Sequence, residues 1–166
     1  MKMQWLSRRV QFVLGVGLAS VLAMLSGVSP AGAQEAQGVF ITQAASRLTK
    51  LIDSANKDGY HLKDNSFSIG GGWIKQSKKD WIALYKVQLT GGKEYRFLAA
   101  GDKDAKDVDL EIRNSNDDVV ASDTDTDPNA IVNFRPKTGG LYTIRVRLYD
   151  SRDNLPCVCL GIVMVK

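Results

Sequence analysis

Ten carboxylates crowd the stretch 101–129: Asp102, Asp104, Asp107, Asp109, Glu111, Asp117, Asp118, Asp123, Asp125 and Asp127 face only Lys103, Lys106 and Arg113. Hard cations bind through such oxygens, and calcium takes six to eight of them in flexible geometry. Asp107, Asp109 and Glu111 alternate, so on a strand they share a face; Asp123, Asp125 and Asp127 do the same if their segment stays extended. Neighbouring strands would then bring like charges together at a cost that calcium relieves. The expected ligands are Asp102, Asp104, Asp107, Asp109, Asp123 and Asp125, with calcium as the candidate cofactor. An EF-hand is excluded, because Pro128 stands where the loop needs Gly and Phe134 occupies its twelfth position. Two other readings stay open. Arg113, Arg135, Arg145 and Arg147 could hold the same carboxylates through guanidinium forks, or the acid could simply be solvated.

Little else could do chemistry. Cys157 and Cys159, the only cysteines, point to one strand face, and a bridge two positions apart in extended chain would be strained. They are expected as buried thiols, then as a strained or intermolecular disulfide, and last as a metal site, since one His and two Cys cannot fill a zinc set of four. His61 lies in a polar connector with no nucleophile nearby and is expected to be solvated. Gly70-Gly71-Gly72 beside Trp73 reads as a flexible loop or bulge, without the strand-to-helix setting of a phosphate loop. No catalytic constellation emerges, so the chain is expected not to be an enzyme; paired carboxylates acting on a glycoside are the remaining catalytic alternative.

The elements that must position these residues follow from patterning. Residues 1–33 read as a cleaved secretory signal: Lys2, Arg8 and Arg9 precede an uncharged apolar run that ends in Ala31-Gly32-Ala33. Its removal leaves 19 basic against 18 acidic residues, which gives no warrant for a nucleic-acid partner. Ser7-Arg8-Arg9-Val10-Gln11-Phe12 also resembles a twin-arginine signal with its aromatic one place late. Residues 34–60 carry a helix and connector. Ile41, Ala44, Ala45, Leu48, Leu51, Ile52 and Ala55 recur at three and four, Arg47 and Lys50 fall opposite, and Gly59 stands at the C-terminal cap. Residues 61–166 form the main domain. From Trp81 onward the period is two, with Trp81, Ala83, Tyr85, Val87 and Leu89 expected on one face and Tyr142, Ile144, Val146 and Leu148 on another. Seven or eight short strands closely spaced by turns imply an antiparallel β-sandwich, mainly β with one N-terminal amphipathic helix.

Within that domain, Tyr95-Arg96-Phe97-Leu98-Ala99-Ala100-Gly101-Asp102, Asp107-Val108-Asp109-Leu110-Glu111-Ile112, Val119-Val120-Ala121-Ser122-Asp123, Phe134-Arg135-Pro136 and Gly140-Leu141-Tyr142-Thr143-Ile144-Arg145-Val146 resemble the bacterial pre-peptidase C-terminal domain over about half of the chain. The resemblance implies a jelly-roll-like sandwich in an exported protein, non-catalytic and associated with substrate binding, secretion or maturation; some collagen-binding relatives use calcium. In that family a protease domain usually stands beside the sandwich, and none is expected here. The expectation is therefore a periplasmic or secreted binding or structural module, calcium-stabilised in one form of the reading, with no stable membrane anchor once the signal is cleaved. Its partner would be an extracellular or periplasmic protein or a polysaccharide. Alternatively it is an accessory subunit that contacts another exported protein through the helix and the Gly70–Trp73 loop.

Overall fold

The structure is a computed structural model and describes residues 30–166, with side chains from Gly38 onward. The signal expected at 1–33 lies outside the described residues, apart from its last four positions, which belong to the backbone of helix α1 (Pro30–Lys57). The helix thus begins inside the segment expected as signal, at Pro30, a residue suited to the first helical position. Among the described residues no helix is long and apolar enough to cross a membrane.

Ala44, Leu48, Ile52 and Ala55 are buried, and they pack on Leu98, Ala100, Ile162 and Met164 of the sheet below. The expected stripe starts one turn too early, since Ile41 is 49% exposed. Gly59, with φ 88°, ends the helix. Its N–H bonds the Asn56 carbonyl and the Tyr60 N–H reaches back to Ala55, both at 3.0 Å, which is a Schellman closure.

Two antiparallel sheets follow. In the first, β9 (Cys157–Val165) lies between β4 (Tyr95–Gly101) on one side and β1 (His61–Leu62) and β2 (Ile69–Ile74) on the other; β7 (Asn129–Phe134) flanks β4. In the second the order is β3 (Ile82–Leu89), β8 (Gly140–Ser151), β5 (Ala105–Arg113), β6 (Val119–Asp123). Phe97, Ala99 and Val163 from the first sheet and Leu110, Ile144 and Val146 from the second meet in one core. Because α1 covers the other face of the first sheet, β4 and β9 are buried on both sides. Their sequences accordingly run apolar without alternation.

Two expectations are corrected here. Gly70, Gly71 and Gly72 are strand, not loop: they pair with Gly161, Leu160 and Cys159. A Cβ at Gly70 would stand 2.4 Å from the Tyr85 ring, and one at Gly71 2.2 Å from the Cys159 carbonyl oxygen, so the glycines serve close packing. Trp81 does not share the inner face with Tyr85, Val87 and Leu89. A bulge between Ala83 and Tyr85 shifts the register, and Trp81 lies on the outside against Arg147, whose guanidinium carbon is 4.5 Å from its ring centre. His61 pairs with Val165 in β1 and its side chain is exposed.

Candidate functional site

Alternation puts Val108, Leu110 and Ile112 of β5 into the core and turns Asp109 and Glu111 outward. Register then decides what they meet. Asp109 stands opposite Arg147 and Glu111 opposite Arg145, a favourable cross-strand arrangement. Arg147 Nε donates to Asp109 Oδ2 at 2.7 Å. Glu111 Oε1 receives Arg113 Nε at 2.7 Å and lies 3.4 Å from Arg145 Nη1. Arg147 is fixed further by the Lys78 carbonyl, 2.9 Å from Nη1, and by the rings of Trp81 and Tyr149, 4.5 and 4.9 Å from its guanidinium carbon.

Asp107 departs from this pairing. The ladder shifts register on both sides of it, and such bulges re-aim a side chain. The residue is 5% exposed, and its Oδ1 is buried without a hydrogen-bond partner. Burial, then the charge of Asp109, pushes the Asp107 carboxyl up to about 6, with Arg147 opposing and Asp150 and Asp123 adding. Burial also pushes Asp109 up against the pull of Arg147. Asp107, Asp109, Thr124, Thr126, Arg147 and Tyr149 line a hollow of about 250 Å³. Two larger hollows, of about 490 and 550 Å³, lie at the Asn114–Asn116 turn and beside Tyr85. Neither is lined by a buried carboxylate.

The expected calcium ligands do not share one point. Asp102 is fully buried and spends Oδ1 on the Asp104 N–H and Oδ2 on the Val158 N–H, at 2.9 and 2.7 Å. It ties the end of β4 to β9. Asp104 pairs with Arg152 at 3.0 Å. Asp123 accepts the Asp125 N–H at 3.0 Å and the Ile131 N–H at 2.7 Å, joining β6 of one sheet to β7 of the other. Asp125 is exposed. The 123–127 segment is not extended past Asp123: side-chain bonds to the following backbone, such as Asp127 to the Asn129 N–H at 2.9 Å, turn the chain instead. Among the described residues no group of three or more His, Cys, Asp or Glu is placed to hold a metal ion.

Cys157 and Cys159 are free and buried. Burial first, then Asp102, pushes the Cys157 thiol up to about 12; burial raises Cys159 as well.

Sequence reasoning left out Arg152, Thr124, Thr126 and Tyr149, and it placed Arg47 on the free side of α1. Arg47 Nη1 in fact donates to the carbonyls of Gly101 and Asp102, at 3.2 and 2.6 Å. The continuing alternation Arg145, Arg147, Tyr149 was the available signal for the site's outer wall. No protein-family model matches the chain, and no curated protein matches it either.

Proposed function

We propose that the chain is an exported, non-catalytic binding module on a jelly-roll β-sandwich, with its recognition site at the Asp107 hollow on the outer face of the second sheet. The strand orders support the jelly-roll reading: β2 and β3, β4 and β5, β6 and β7, and β8 and β9 each lie in opposite sheets, as nested Greek keys require. The signal-like residues 1–33 support export, and the resemblance to the pre-peptidase C-terminal domain supports an accessory role. One observation carries the binding reading: Asp107, whose Oδ1 has no donor, lines a hollow together with Arg147 and Tyr149 of β8 and Thr124 and Thr126 of the turn after β6. Native proteins rarely leave such an acceptor unsatisfied. Calcium is not carried into this reading, because four of its six expected ligands, Asp102, Asp104, Asp109 and Asp123, are spent on backbone N–H groups and arginines.

The carboxyl raised to about 6 is what a general acid needs. Catalysis on a glycoside also needs a free second carboxylate, and Asp109 is locked to Arg147 at 2.7 Å. Non-catalytic binding is therefore the better account. The experiment compares retention of the mature chain, and of its Thr126→Trp variant, on a glycan array and on cell-envelope polysaccharide and protein. Thr126 is exposed at the hollow's edge, so the indole fills the hollow without touching the core. Retention lost by T126W at unchanged melting temperature supports the reading. No retention, or retention that T126W leaves intact, rejects it.

A further inference from the structure

We propose that the hollow of about 550 Å³ between β2 and β3 binds a single aliphatic chain with an anionic head, such as a medium-chain fatty acid. It is a second site, independent of the Asp107 hollow and sharing no lining residue with it. Topology opens it. His61 and Leu62 of β1 pair with Val165 and Met164, and β2 joins the same edge of β9 only from Ile69, opposite Ile162. Between them the chain turns out of the sheet at Asp64 and Asn65, with φ of 55° and 52°, and Val163 is left without a strand neighbour on that edge. Its side chain belongs to the core and forms the floor of the hollow.

The facing wall comes from β3, the edge strand of the second sheet. Its bulge between Ala83 and Tyr85 sends both Leu84 and Tyr85 toward the first sheet: a Cβ at Gly161 would stand 2.8 Å from Leu84 Cδ1, and one at Gly70 2.4 Å from the Tyr85 ring. Leu84, Tyr85 and Val87 pack on the core yet are only half-buried, and Ile69 across from them is exposed. An apolar wall continuous with the core is thus open to solvent, and a ligand that covers it gains in proportion to the apolar area removed from water. The volume falls within the roughly 300–1,000 Å³ of sites that take small ligands. The rim selects the head group. Lys63 is spent on Asp64, whereas Lys86 is exposed at the same rim and makes no ion pair among the described residues. The one uncompensated charge is therefore positive. A carboxylate accepts from the Lys86 ammonium and from the hydroxyls of Ser66 and Ser68, both exposed residues whose oxygens lie 3.5 Å apart. A cationic head would be repelled by Lys86 and would find only the already paired Asp64.

The test is calorimetric titration of the mature chain, near neutral pH and below the micelle concentration, with octanoate, nonanoate and decanoate. Decyltrimethylammonium and vesicles of anionic phospholipid are the comparison ligands. Each added CH₂ should tighten binding by about two- to fourfold. Decanoate should bind at least about fivefold tighter than the decyl cation, and Lys86→Glu should abolish that preference. Ser68→Trp, an exposed change at the rim, should block the hollow at unchanged melting temperature. Should S68W lower the melting temperature, K86E decides alone. Thr126→Trp, which fills the Asp107 hollow, should leave decanoate binding intact, so failure of the module reading does not carry over to this site. No binding, affinity independent of chain length, equal affinity for the cation, a preference that survives K86E, loss of decanoate in T126W, or binding to vesicles alone would each overturn the proposal.

Discussion

Asp107 makes stability depend on pH in a direction opposite to that of an ordinary paired carboxylate. Its folded value of about 6 stands above the ordinary 3.8, so the folded chain holds a proton that the unfolded chain releases. The stabilisation linked to it is complete below the unfolded value and is lost as pH rises through about 6. Full conversion of the shift would give roughly 3 kcal/mol, but the carboxyl borders an open hollow where solvent screens it, and about 1–2 kcal/mol is the expected penalty above pH 6. Asp107→Asn should therefore stabilise the protein by that amount at about pH 8 and by almost nothing near pH 4, measured by chemical denaturation at each pH. A loss of stability at pH 8 would mean that Oδ1 has a partner. Burial pushes Asp109 the same way, but this residue, 1% exposed, is hydrogen-bonded by Arg147 at 2.7 Å. Arg147→Met should cost about 3–5 kcal/mol by leaving that carboxylate buried and alone. Adding Asp109→Leu should recover most of the loss, giving a large coupling energy in a double-mutant cycle.

Element by element, what could be read from the sequence depended on how many faces an element buries. β8 covers the core with one face and solvent with the other, so Tyr142, Ile144, Val146 and Leu148 announced it. β4 and β9 were found as strands, but their double burial comes from α1 packing across them, which no local pattern records. β2 was read as a loop: its glycines carry no apolar pattern, and Tyr85 leaves no room for a side chain at Gly70 nor the Cys159 carbonyl at Gly71, whereas Gly72 has open space. Gly70→Ala should then cost several kcal/mol, more than the roughly 1 kcal/mol gap in helix or strand propensity, through overpacking against Tyr85. The helix makes a paired prediction. Leu48→Ala, at a fully buried site, should destabilise by about 2–5 kcal/mol, whereas Ile41→Ala should stay within about 0.5 kcal/mol. Thermal denaturation of both variants separates a docked helix from one that merely lies nearby. The acidic cluster was legible as composition and not as a site. Residue order cannot show that Asp102 would spend Oδ2 on the N–H of Val158 in β9, or Asp123 its Oδ2 on that of Ile131 in the other sheet.

The whole molecule has its two thiols at its centre, and that makes them reporters of global opening. Cys157 and Cys159 sit on the inner face of β9, the strand that pairs with β1, β2 and β4 at once. Both are fully buried; Cys159 is paired on both edges, with Gly72 and Gly101, and Cys157 on one, with Ile74. Their thiols are also pushed far toward the neutral form by burial, and only the thiolate attacks disulfides or alkylating reagents. Under native conditions neither cysteine should react with an aromatic disulfide reagent over hours, and a reductant should leave the melting temperature unchanged. In denaturant both should react together, with an exchange rate that falls with denaturant concentration in parallel with the equilibrium unfolding curve. If β9 could detach as a separate unit, thiol modification would outrun unfolding measured by tryptophan fluorescence. Coincidence of the two is expected, because separating β9 opens both sheets and the helix contact in a single event.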